Sequence, residues 1–118
     1  MARSLQPAAL AGALSEALGL PRTAALIIKA LARAREALAV DEIVEQVKSS
    51  ERSVRENLQV LLQRGVLIRR VFVTANKKLA YAYSLKPVDD LLEAARKEVA
   101  RTIGRIEAVA RRLRDTST

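Results

Sequence analysis

Leu92, Ala95, Val99, Thr102, Ile106, Val109 and Leu113 recur at alternating steps of three and four near the end of this 118-residue chain. That spacing is a heptad seam on one helix, from Asp89 or Asp90 to about Arg114. At 1.5 Å per residue such a helix is roughly 39 Å long. A domain built from the preceding residues cannot cover it along its whole length, so a second copy of the chain is the expected cover. Acids gather at its start and arginines at its end, as the helix dipole favours. The alternative is that the helix folds back on its own domain.

The remaining residues divide readily. Leu10, Leu14 and Leu18 fall one helical turn apart, giving a first helix over Pro7 to Leu18, ended by Gly19. Arg3 followed by Ala8 to Leu14 faintly imitates a secretion signal, but the four-residue step argues for a helix face instead. A second helix, Pro21 to Arg35, buries Leu20, Ala24, Ile27, Ile28 and Leu31. A short third, Ala39 to Val47, opens on Asp41 and Glu42, with the poor cap Ala39 before them. Ser49 and Ser50 make a turn, and Ser50 caps a fourth helix that runs to Arg64 and stops at Gly65. Val66 to Thr74 and Leu79 to Leu85 read as two strands joined by Ala75-Asn76-Lys77-Lys78, with Asn76 expected to take the positive φ. Leu79, Tyr81, Tyr83 and Leu85 share one strand face, and both tyrosines are expected to pack in the core. The fold class is mainly α with a small β-hairpin. Residues 1–87 form one domain and residues 88–118 a dimerisation helix.

Charge separates these segments more sharply than the net +8 suggests. From Asn57 to Val88, 32 residues contain no acid but include Arg64, Arg69, Arg70, Lys77, Lys78 and Lys86. Residues 41–56 carry five acids and three bases. A basic field confined to one hairpin attracts polyanions. On the fourth helix, Val54, Leu58 and Leu61 face the core and leave Arg52, Ser53, Arg55, Glu56 and Gln59 outside. A helix of that width fits the major groove of DNA. The candidate DNA-binding residues are therefore Ser50, Arg52, Ser53, Arg55, Glu56 and Gln59 on helix 50–64, with Arg69, Arg70, Lys77 and Lys78 on the wing 66–85. The competing reading of Arg52 and Arg55 is pairing along the helix with Glu56 and Glu51.

Four motifs in this order resemble a known family. Leu18-Gly19-Leu20 through Ala30-Leu31, Val40-Asp41-Glu42-Ile43, Ser50-x-Arg52-Ser53-Val54 through Gly65-Val66-Leu67, and Tyr81-x-Tyr83-Ser84-Leu85 are similar to the winged helix-turn-helix of archaeal TrmB-like and MarR-like transcription regulators. The resemblance implies a sequence-specific, cytoplasmic, homodimeric regulator of double-stranded DNA. The sequence ends where larger TrmB-like proteins carry a sugar-binding domain, so no sugar effector is expected and no other small-molecule effector is assigned. The alternatives are an architectural DNA-binding protein of the same layout and a winged-helix protein-interaction module.

Other classes fit poorly. With no cysteine and no histidine there is no disulfide, no thiolate or imidazole metal site and no histidine catalysis. No Gly-rich phosphate loop is present, and Asp41-Glu42 and Asp89-Asp90 serve as helix starts. The chain is expected to be no enzyme, to need no cofactor and to avoid the membrane, since it has no apolar run of spanning length. Scarce Asn and Met among many ion-pairing residues point to a thermophile.

Overall fold

A computed structural model describes residues 2–116. Residue 1 and residues 117–118, the outer ends of the two expected domains, lie outside it. Five helices and three strands follow in the order α1 (Ala2–Leu18), α2 (Arg22–Ala34), β1 (Leu38–Ala39), α3 (Val40–Val47), α4 (Glu51–Gln63), β2 (Leu67–Val73), β3 (Leu79–Leu85) and α5 (Val88–Thr116). The strands form an antiparallel sheet in the order β1-β3-β2. The first helix starts five residues earlier than its apolar spacing implies, so Pro7 lies inside it rather than at its start.

The core gathers around α2. Ala24, Ile27 and Ile28 are fully buried there, with Ile43 of α3 and Val54 and Leu61 of α4. Burying a side chain of this size contributes about 1.5–3 kcal/mol. The sheet joins through Leu38, Leu67 and Tyr83, and α1 through Ala11, Leu14 and Leu18.

The two helices of the turn motif are set by local chemistry. The third ends at Lys48, which adopts φ 54° and donates its N–H to Val44 O. Its start lacks a capping side chain at Ala39, and Glu42 compensates by accepting the Ala39 N–H at 2.9 Å. Ser50 Oγ then accepts the Ser53 N–H at 3.1 Å and starts α4. At the far end Gly65 takes φ 76°, donating to Leu62 O, while Val66 N–H reaches Leu61 O. These two bonds satisfy carbonyls that the helix end would otherwise orphan and send the chain into β2.

The long helix is rooted by a residue next to the seam. Leu91 is buried, and Ala95 packs against the same core. Glu98 follows on that face and collects three cations: Arg101 at 3.1 Å, Arg64 at 3.6 Å and Arg105 at 3.8 Å. Arg64, which caps the C-terminal end of α4, also donates to Leu18 O at 3.1 Å. One guanidinium therefore ties the ends of α1 and α4 to α5.

Replacing Glu98 by Ala leaves Arg64 with one partner fewer in a half-buried site. The loss is expected to be about 1 kcal/mol, discounted for the partial exposure of Arg64, and is measured by urea unfolding. Gly104 gives the opposite sign. A methyl group there meets nothing within 4 Å, so Gly104→Ala is expected to stabilise α5 by about 0.5–1 kcal/mol in the same assay.

Candidate nucleic-acid interface

With Val54, Leu58 and Leu61 turned inward, α4 presents Glu51, Arg52, Arg55, Glu56 and Gln59 to solvent. Both arginines pair along the helix. Arg52 Nε lies 3.2 Å from Glu56 and Arg55 Nε 3.6 Å from Glu51. All four groups are more than half exposed, so each pair is worth only a few tenths of a kcal/mol. The guanidiniums are parked rather than locked. Ser50 is committed to capping, and Ser53 is half-buried with its carbonyl accepting from Asn57 Nδ2 at 2.8 Å. That leaves Arg52, Arg55 and Gln59 as the outward hydrogen-bond donors nearest the expected reading face, with Glu51 and Glu56 as acceptors beside them.

The wing is a regular two-stranded ribbon, paired from Leu67↔Leu85 out to Val73↔Leu79. Its turn differs from expectation in one residue. Lys77, not Asn76, takes the positive φ, at 60°. The Lys77 N–H donates to Thr74 O at 2.9 Å and the Thr74 N–H to Lys78 O at 2.8 Å. Those bonds define a tight turn followed by a left-handed residue, and the left-handed position falls on Lys77. Arg69, Arg70, Lys77 and Lys78 are exposed. The Arg69 guanidinium sits 4.4 Å from the centre of the Tyr81 ring, a cation–π contact.

Tyr81 corrects the sequence reading. Tyr83 is buried as expected, whereas Tyr81 is 41% exposed. The two share a strand face, but the ribbon extends past the body of the protein, so only its root is covered. Val71, Phe72, Val73 and Leu79 are exposed for the same reason. Alternation identified the face and carried no information on where the body stops.

Between the wing and the helix starts lies a cleft of about 600 Å³. Asp41, Glu42, Glu51 and Arg55 line one side, with Phe72 and Tyr81 among its other walls. Its acidity contrasts with the basic ribbon. Among the described residues no group of three or more His, Cys, Asp or Glu is placed to hold a metal ion, and no helix is long and apolar enough to cross a membrane.

The seam residues divide into two sets. Leu92, Val99, Ile106, Val109 and Leu113 are exposed, as is Ile103, which the spacing did not single out. Ala95 and Thr102 are half-buried on the side that carries Leu91 and Glu98.

No family model matches the sequence, and no curated protein matches it closely. Solved structures do resemble the fold. A possible transcriptional regulator from Methanosarcina mazei superposes with a TM-score of 0.72 at 15% identity, over 83% of this chain and 82% of that one. A protein of the thermoacidophilic archaeon Sulfolobus tokodaii gives 0.62 at 20% identity, over 81% and 89%. A MarR-family transcriptional regulator from Silicibacter pomeroyi gives 0.52 at 17%, over 94% and 80%. Helix-turn-helix, wing and long C-terminal helix together give this chain a winged helix-turn-helix fold, the fold of those solved structures.

Proposed function

We propose that the chain is a sequence-specific DNA-binding transcription regulator that acts as a homodimer. The observation that carries this reading is the pairing of an outward Arg52-Arg55-Gln59 face on α4 with an adjacent acid-free wing bearing four exposed cations. On this reading α4 enters the major groove and its arginines leave their glutamates for base edges. Arg69, Arg70, Lys77 and Lys78 hold the phosphate backbone, which positions the protein without reading sequence. Regulators among the structural neighbours support the same function.

Glu51 and Glu56 favour a regulator over an architectural protein. Each lies on the face offered to DNA, repels phosphate, and can accept from cytosine N4. A protein selected to coat any sequence gains nothing from that repulsion. Selection of bound duplexes from a random pool tests the choice. A recovered palindrome is the expected result, and a pool with no enriched motif overturns the reading. Within the recovered site, Arg52→Ala or Arg55→Ala is expected to cost about 1–3 kcal/mol and relax one base-pair preference. Lys77→Ala with Lys78→Ala is expected instead to weaken all sequences alike and flatten the salt dependence by about 1–2 units per wing. Anisotropy titrations on matched and scrambled duplexes separate the two.

The dimer is assigned to residues 88–118. Ile106, Val109 and Leu113 expose half or more of their surface, and with Arg105 and Ala110 they line one apolar groove. The positively charged ends of two such helices repel if parallel, so exposed apolar area has to drive the pairing. Ile106→Asp with Leu113→Asp is expected to give folded monomers in sedimentation, with helix content retained by circular dichroism. A dimer that survives both substitutions places the contact elsewhere.

A further inference from the structure

The second helix has a charged side that duplex binding leaves unused. From Arg22 to Ala34 there are three bases and no acid. Leu26, Lys29 and Arg33 recur at steps of three and four, so they share one face. That face lies about half a turn round the helix from Ala24, Ile27, Ile28 and Leu31, which pack into the core that α4 also joins. A duplex lying along the outer face of α4 therefore does not cover it.

The end of α3 completes the face. Lys48 joins Lys29 and Arg33 around a depression of about 240 Å³, whose apolar lining is Leu26, Ala30 and Val47. No carboxylate lines it. Among the described residues, Lys29, Arg33 and Lys48 enter no ion pair. The helix dipole accounts for Arg33 and Lys48, at the C-terminal ends of α2 and α3. It does not account for Lys29, which is half-buried in mid-helix beside an apolar surface with no counter-charge. The depression is smaller than the roughly 300–1,000 Å³ of small-molecule sites. Phosphates of a second duplex meet the cations but leave the concave apolar lining uncovered. An acidic segment of another protein, carrying one large apolar side chain, satisfies both parts.

We infer that α2 and the end of α3 form a docking face for an acidic protein segment: carboxylates pair with Lys29, Arg33 and Lys48, and an apolar side chain fills the depression between them. An apolar anchor in a pocket with charged groups at the rim is a common interface arrangement. The inference does not depend on duplex binding. The face stays open when α4 is on DNA, so one chain can hold a duplex and a partner protein on opposite sides.

The test uses the full chain and a fluorescein-labelled synthetic peptide of Asp and Glu with one central Leu. The wing offers this peptide other cations, so a carbodiimide, which joins carboxylates to adjacent lysine amines, maps where it sits. Cross-links at Lys29 and Lys48 are expected, and a pattern that misses both overturns the inference. Lys29→Ala with Arg33→Ala changes both to the best helix former. It is expected to weaken the peptide about tenfold in anisotropy titrations, with circular dichroism and duplex affinity unchanged. A peptide with Ser in place of Leu is expected to bind the wild-type chain several-fold more weakly. Equal affinity for the two peptides, or full affinity in the Lys29–Arg33 variant, overturns the inference. Loss of duplex affinity by that variant assigns the face to nucleic acid, and loss of self-association in sedimentation assigns it to a second copy; either result overturns it as well. The peptide measurements are made without DNA, so failure of the wild-type chain to bind any duplex removes the proposed function and leaves the docking face standing.

Discussion

The orientation of α4 depends on three side chains. Val54, Leu58 and Leu61 are buried against α2 and α3, and turning the helix by one residue would rotate it by about 100° and bring charged groups into the core. Unpaired charge in an apolar interior costs several kcal/mol or more, far above the few tenths available from the Arg–Glu pairs on the other side. The buried stripe therefore decides which residues face outward, and the polar face has no vote in it. Ser50 and Gly65 fix where the helix starts and stops, so both its rotation and its length follow from local and core chemistry.

Electrostatics then divides the surface. On α4 every exposed arginine has a glutamate one turn away, and the helix is nearly neutral at short range. On the ribbon there is no acid to offset the cations. A polyanion approaching from a distance feels the ribbon first, because the fields of paired charges fall off faster than those of unpaired ones and salt screens both beyond about 10 Å. On the proposed function, capture and discrimination thereby reside on different elements. The acidic side of the cleft between them keeps the two surfaces from merging into one uniformly basic face.

Much of this was legible in the sequence where the determining chemistry is local. A serine cap, a glycine exit and a stripe at helical spacing each act within one or two turns, and α4 follows them closely. The failures have physical causes. Strand β1 is two residues long, too short for any periodicity. Leu91 and Leu92 lie one residue apart and each starts a heptad; only the position of the core shows that Leu91 is the one buried. The left-handed residue of the wing turn is set by the strand register, since Val73↔Leu79 pairing puts the bulge on Lys77 whatever Asn76 prefers. Tyr81 and Tyr83 are indistinguishable by alternation, and the extent of the body beneath them is a property of the whole fold.

The tie at Glu98 has a mechanical consequence. It lies about a third of the way along α5, and the remaining stretch to Leu113 projects roughly 22 Å beyond it. Arg64 links this point directly to the end of α4. The helix is thus a lever with its fulcrum at the C-terminal end of α4. A swing of about 5° at the fulcrum carries the far end by roughly 2 Å, and a force applied at the far end is delivered, multiplied, to the last turn of α4. Whatever grips the outer end of the helix therefore has purchase on the tilt of the surface that carries Arg52 and Arg55.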